Sequence, residues 1–245
     1  MQPIEEPPLT PELIRARANA LVARLRHAAE AAGRDPDGFR VVAVTKGFGL
    51  GVVRAAVEAG LAILGENRVQ EAADKVAAVP GADWHLIGRL QSNKARQALS
   101  LFSTIHSVDS VKLLQRLDHI AAEERSPVRL LLQVNVSGEE TKAGFPAAWM
   151  AAQAAGSGEL AGSVRSLAAV EVTGLMTLAP LGATPEEQHR IFAALRQLRE
   201  ALREHIGVAL PELSMGMSAD ADAAVAEGST LVRVGTAIFG PRPGG

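Results

Sequence analysis

An apolar run, Val41-Val42-Ala43-Val44, leads straight into Thr45 and Lys46 and then a glycine-flanked loop. Burying an ammonium is costly unless it is paired or neutralised. Lys46 therefore either reaches water at a strand tip or is held where its amine is used. A second cluster lies near the C-terminus. Ser214-Met215-Gly216-Met217-Ser218 is followed by a helical stretch and then Val232-Arg233-Val234-Gly235-Thr236. Gly216 and Gly235 allow close backbone approach, and Ser218 and Thr236 supply hydroxyl donors, which suits a phosphate cradle. Arg233 interrupts an apolar strand, and a buried guanidinium needs acceptors for its hydrogen bonds. An amine, a phosphate cradle and an inward arginine together fit an aldehyde-bearing phosphorylated ligand held as a Schiff base on Lys46. Pyridoxal 5′-phosphate (PLP) is one such ligand. A phosphorylated sugar aldehyde, as in a lysine-dependent aldolase, is another, and spacing alone does not separate them.

These residues need elements to position them. Short apolar, β-branched runs at 39–46, 61–65, 84–88, 103–107, 128–135, 170–176, 212–215 and 231–235 read as strands. Helical segments are expected at 50–59, 68–78, 92–100, 110–124, 146–156, 185–205 and 219–227. Thr184-Pro185-Glu186-Glu187 reads as a capping box with proline at the first helical position. An additional N-terminal helix opens with Thr10-Pro11, carries Ile14, Ala18, Leu21, Leu25 and Ala28 on one face, and ends near Gly33. Continuous rather than alternating hydrophobicity argues for parallel strands buried on both faces. Eight βα units in 245 residues match a single (β/α)8 barrel. The alternative, an open doubly wound sheet, lacks its G-x-G-x-x-G turn, because Lys46-Gly47-Phe48-Gly49 stands in that place.

In such a barrel the chemistry gathers where strands end. The other strand ends carry Glu66-Asn67-Arg68, Gly88-Arg89, His106-Ser107-Val108-Asp109, Asn135 and Met176. Each has an ordinary reading alone: a turn-forming Asn, a satisfied core His, a packed Met176 or Met217. Their convergence at one end gives the set its weight.

Composition bounds the function. Net charge is −2 and aromatic residues are 3%, so neither an anionic partner nor a base-stacking surface is indicated. The chain has no cysteine, which excludes disulfides and thiolate chemistry, and no spaced set of metal ligands is visible. No apolar run approaches the roughly 20 residues of a membrane helix. The N-terminus lacks a secretory pattern, so a cytoplasmic protein is expected.

The motifs resemble those of the pyridoxal phosphate homeostasis proteins, relatives of alanine racemase, from about residue 12 to 240. The blocks are VAVTK (42–46), LGENRVQE (64–71), WHLIGRLQSNK (84–94), IHSVDS (105–110), LLQVNVSGEETKAGF (131–145), GLMTLAP (174–180) and the run from Leu213 to Gly240. The resemblance implies one PLP-binding barrel domain over residues 1–245, without a second β-rich domain. The cofactor would sit on Lys46, with Ser218, Gly235 and Thr236 at its phosphate, Arg233 facing the pyridine nitrogen, and Asn67 and Met176 beside the ring. The tail, PRPGG at 241–245, departs from the basic tails common in the family.

An arginine opposite the pyridine nitrogen acts as donor, which disfavours demanding carbanion chemistry. The related racemases pair a lysine with a tyrosine on a second domain, and this chain has no tyrosine. His85, His106 and Lys142 are the available substitutes. The expected function is therefore a cytoplasmic, monomeric carrier or buffer of PLP in vitamin B6 homeostasis, with no catalytic residues and with PLP-requiring proteins as acceptors. A PLP-dependent amino-acid racemase and a Schiff-base aldolase are the alternatives.

Overall fold

The computed structural model describes residues 9–139, 141–156 and 158–242. Strands β1 (Arg40–Val44), β2 (Ile63–Glu66), β3 (Asp83–Leu86), β4 (Thr104–Val108) and β5 (Val128–Asn135) pair in order, all parallel. The two-residue β6 (Phe145–Pro146) lies against the end of β5, outside the ring. β7 (Val170–Met176), β8 (Glu212–Ser214) and β9 (Leu231–Val234) continue from β5, and β9 returns to β1. The eight strands other than β6 thus close into a parallel barrel, as the sequence pattern implies.

Around it run α1 (Pro11–Ala31), α2 (Leu50–Glu58), α3 (Val69–Ala78), α4 (Ala95–Leu101), α5 (Val111–Glu124), α6 (Ala147–Ala154), α7 (Glu159–Arg165), α8 (Pro185–Ile206), α9 (Ala221–Ala226) and α10 (Thr236–Phe239). Thr10 caps α1 by accepting from Leu13 N–H, and Thr184 and Glu187 close the expected capping box on α8. Three elements were not foreseen. α7 contains Gly162 and small residues with little apolar contrast, while α10 and β6 are too short to show a period. The segment expected as one helix at 92–100 begins with a 3-10 turn over Ser92–Lys94 before α4.

Side chains alternate along each strand. Ala43, Leu64, Trp84, Leu86, Ile105, Leu130, Leu132, Leu213 and Val232 face the helices and form the main core. Val42, Leu131, Met176 and Leu231 form a separate cluster inside the ring. The same alternation puts Lys46, His85, His106, Ser214 and Arg233 on the inward side. Among the described residues no helix is long and apolar enough to cross a membrane.

Candidate functional site

Lys46 sits in the turn that follows β1, and its neighbours on both sides are fixed by a buried charge cluster. Lys75 of α3 donates to the Thr45 carbonyl (2.9 Å), to Glu66 Oε1 (2.8 Å) and to Glu71 Oε1 (2.9 Å). The Thr45 hydroxyl donates to Glu66 Oε1 (2.6 Å), and Gly47 N–H donates to Glu71 Oε1 (2.6 Å). Lys75 shares the inner face of α3 with Val69 and Ala72, so this lysine replaces an apolar residue in the core pattern. Burial pushes the Glu66 carboxyl up, and its second oxygen is buried without a partner among the described residues.

The Lys46 amine itself is half-buried. Burial, together with repulsion from Arg242 and Arg233, pulls it below the ordinary lysine value, with Glu66 and Glu71 opposing. A larger neutral fraction makes the amine a better nucleophile. Arg242 lies in the C-terminal tail, and its side chain packs by the turn: a Cβ added at Gly47 would lie 3.2 Å from Arg242 Cδ.

Arg233 is 3% exposed. It donates to Ser214 Oγ (2.5 Å) and to the Thr177 carbonyl (2.9 Å). Burial lowers its pKa to about 10, which leaves it charged at neutral pH. His85 and His106 bond to one another (2.9 Å) inside the barrel, and His106 continues to Ser214 (2.8 Å). Both histidines are satisfied core residues, in line with their ordinary reading.

Gly235 abuts the end of β1: a Cβ there would stand 3.2 Å from the Val44 carbonyl oxygen. This places the start of α10 beside the Lys46 turn. Ser218 Oγ accepts from Ala237 N–H (3.3 Å), joining the loop after β8 to the same corner. Thr236 is exposed and Ser218 half-buried, so both hydroxyls are accessible. Gly216 has φ +91°, and Met217 N–H donates to Asp220 Oδ1 (2.5 Å), which shapes the loop that presents Ser218. Met217 is 38% exposed at this rim instead of packed.

The structure thus brings Lys46, Ser218, Arg233, Gly235 and Thr236 to one end of the barrel. Met176, beside Ser214 in the β7–β8 register, is buried just beneath. Asn67 is half-buried and lines an adjoining cavity of about 770 Å³ with Arg68, Arg89, Lys94 and Asp109, a cavity that the other predicted residues do not line. Lys142, by contrast, is engaged by Glu139, and Asn135 serves the neighbouring turn through Gly138 N–H and Glu139 O.

The chain is similar to known proteins in both sequence and structure. The alanine racemase N-terminal domain model matches residues 17–243. A pyridoxal phosphate homeostasis protein of Pseudomonas aeruginosa is 42% identical over 91% of this chain and 93% of its own length. PipY of Synechococcus elongatus PCC7942 has been solved without PLP (TM-score 0.81, 41% identity) and with PLP bound (TM-score 0.78, 40% identity). Both PipY matches cover 93% of this chain and 100% of that one. An alanine racemase of Clostridium difficile 630 shares the fold at TM-score 0.73 with 15% identity, over 95% of this chain and 57% of the racemase.

Proposed function

The chain belongs to the pyridoxal phosphate homeostasis proteins, within the alanine racemase N-terminal domain family, and from that premise we propose that it binds PLP through Lys46 and carries or buffers it in vitamin B6 homeostasis, without catalytic turnover. The observation that carries this reading is a half-buried amine with a lowered pKa beside a buried, charged Arg233 and an accessible pair of hydroxyls.

The donor set fits the cofactor. When bound, PLP supplies an aldehyde that an amine attacks with loss of water. Lys46 Nζ is the amine, its pKa lowered by burial and by the nearby Arg242 and Arg233. Ser218, Thr236 and the backbone at Gly235 would hold the phosphate, and Arg233 would donate to the ring nitrogen. Asn67 and Met176 would border the ring. An arginine donor leaves that nitrogen unprotonated and weakens the electron sink that carbanion chemistry needs. The substitutes for a second racemase base are already committed: His85 and His106 to each other, Lys142 to Glu139. We place the whole of residues 1–245 in one barrel domain that works as a cytoplasmic monomer and hands PLP to PLP-requiring acceptors.

The test is an absorbance spectrum of the purified protein, borohydride reduction without added sugar phosphate, and peptide mass spectrometry. The expected result is a yellow protein that bleaches and carries one pyridoxyl group on Lys46, absent from Lys46→Ala. An adduct on another residue, or trapping only when sugar phosphate is present, overturns it. Deuterium exchange at the α-carbon of alanine would favour the racemase alternative.

A further inference from the structure

Between the proposed cofactor pocket and the opposite end of the barrel runs a continuous file of buried polar groups. Arg233 Nη1 donates to Ser214 Oγ at 2.5 Å. Ser214 Oγ lies 2.8 Å from His106 Nδ1, His106 Nε2 lies 2.9 Å from His85 Nδ1, and His85 Nε2 lies 3.3 Å from Asp83 Oδ2. Asp83 stands at the first position of β3 and is also bonded by Ser103 and by Arg129.

The two ends determine the middle. A guanidinium only donates and an ionised carboxylate only accepts. His85 must therefore donate from Nε2 to Asp83, which leaves its Nδ1 as an acceptor. His106 donates from Nε2 to that Nδ1, and its own Nδ1 accepts the Ser214 hydroxyl hydrogen. Ser214 Oγ is then free to accept from Arg233. With the opposite polarity the Ser214 hydroxyl hydrogen has no acceptor in this file. The charged groups near the two rings are Asp83 on β3, Arg129 on β5, Arg40 on β1 and Arg233 on β9, with Arg40 paired to Glu212 on β8. Burial foremost pulls both imidazoles below the ordinary histidine value; Asp83 opposes it at His85, and the nearby guanidinium groups add to it at both rings.

Resting on the reading of Arg233 as the group that faces the cofactor ring, the geometry points to Ser214, His106 and His85 as positioning residues that lock Arg233 as a hydrogen-bond donor in one orientation and tie its charge to Asp83 at the far end of the barrel. In this role each of the three acts through Arg233. Their one-way hydrogen order sends the Ser214 hydrogen to His106 and leaves Ser214 Oγ as the acceptor for Arg233 Nη1, which fixes the guanidinium so that its remaining N–H groups can face the ring.

The test begins with side-chain ¹⁵N NMR of the histidine-labelled protein stripped of cofactor. Both His85 and His106 are expected neutral with the proton on Nε2 between about pH 6 and 8. Adding PLP is expected to shift the His106 Nδ1 signal. In Ser214→Ala the PLP dissociation constant is expected to rise about tenfold and the visible band of bound PLP to move, with both restored in Ser214→Thr. A proton on Nδ1 of either ring, a ring that titrates in this range, or a His106 signal indifferent to bound PLP overturns the inference. So does a Ser214→Ala protein that binds and absorbs as the parent does. Should Ser214→Ala fail to fold by circular dichroism, the His106 response in the unaltered chain decides. If the unaltered chain takes up no PLP, the carrier reading and the role assigned toward the ring both fall. The tautomer pattern then still reports whether the hydrogen-bonded file itself exists.

Discussion

Lys75 Nζ lies 2.9 Å from the Thr45 carbonyl oxygen, so α3 holds the residue immediately before Lys46. The same ammonium neutralises Glu66, which is wholly buried. Removing it breaks a buried ion pair and frees the turn together.

Lys75→Met is therefore expected to destabilise the protein by about 3–5 kcal/mol, the cost of leaving a buried charge unpaired. Adding Glu66→Gln should recover part of the loss, because glutamine carries no charge to strand. Urea denaturation of the single and double variants checks this. Equal stability of Lys75→Met and the parent refutes it.

Arg242 acts on Lys46 through charge. An amine must be unprotonated to attack an aldehyde, so PLP attachment should quicken as pH rises and level off below the ordinary lysine value of 10.5, since burial and then Arg242 lower the Lys46 pKa. Arg242→Ala removes one repulsion and raises that pKa. The plateau should move to higher pH, read as the rate of absorbance change on mixing with PLP across a pH series. A plateau that stays put or moves down contradicts the assignment.

Gly216 has φ +91°, and a Cβ there would come within 2.4 Å of Ala224 Cβ. Gly216→Ala should cost about 1–3 kcal/mol from backbone strain, with the clash adding to it, and weaken PLP binding by displacing Ser218. Gly33 offers a control. Its φ is +67° but nothing stands within 4 Å of an added Cβ, so Gly33→Ala should show strain alone and leave PLP binding intact. Thermal melts and PLP titrations of the two variants separate these outcomes.

Hydrogen bonds from His85 and Ser103 hold Asp83 well below the usual carboxylate range, against the opposing effect of burial. A carboxyl depressed in the folded state contributes stability above its unfolded value, near pH 4, and that stability is lost as acid protonates it. Asp83→Asn should lower stability at neutral pH and flatten the loss on acidification. Urea midpoints from neutral pH down to about pH 3 test this, and parallel curves for the two proteins rule it out.

Much of the barrel is legible because buried parallel strands are apolar throughout. β5 and β7 run over 128–135 and 170–176, the ranges their sequence suggests. Lys46, Arg233 and the two glycine loops announce themselves by being the wrong residues for an apolar run. Glu66 and Lys75 did not, because their partnership joins a strand to a helix and each looks ordinary alone. A signal existed: Val69, Ala72 and Lys75 fall on one helical face, and a lysine there must find a carboxylate. The file from Asp83 to Arg233 joins four strands, and its polarity follows from hydrogen bonds, which no spacing encodes. Arg242 was invisible for a simpler reason, since the path of a short tail after α10 is set by what it packs against.

The barrel interior is filled by Val42, Leu131, Met176 and Leu231, and the end away from Lys46 carries the Arg40–Glu212 and Arg129–Asp83 ion pairs. PLP held at the Lys46 end would therefore enter and leave on the same side of the barrel. An incoming molecule and a departing one would then compete for the same opening.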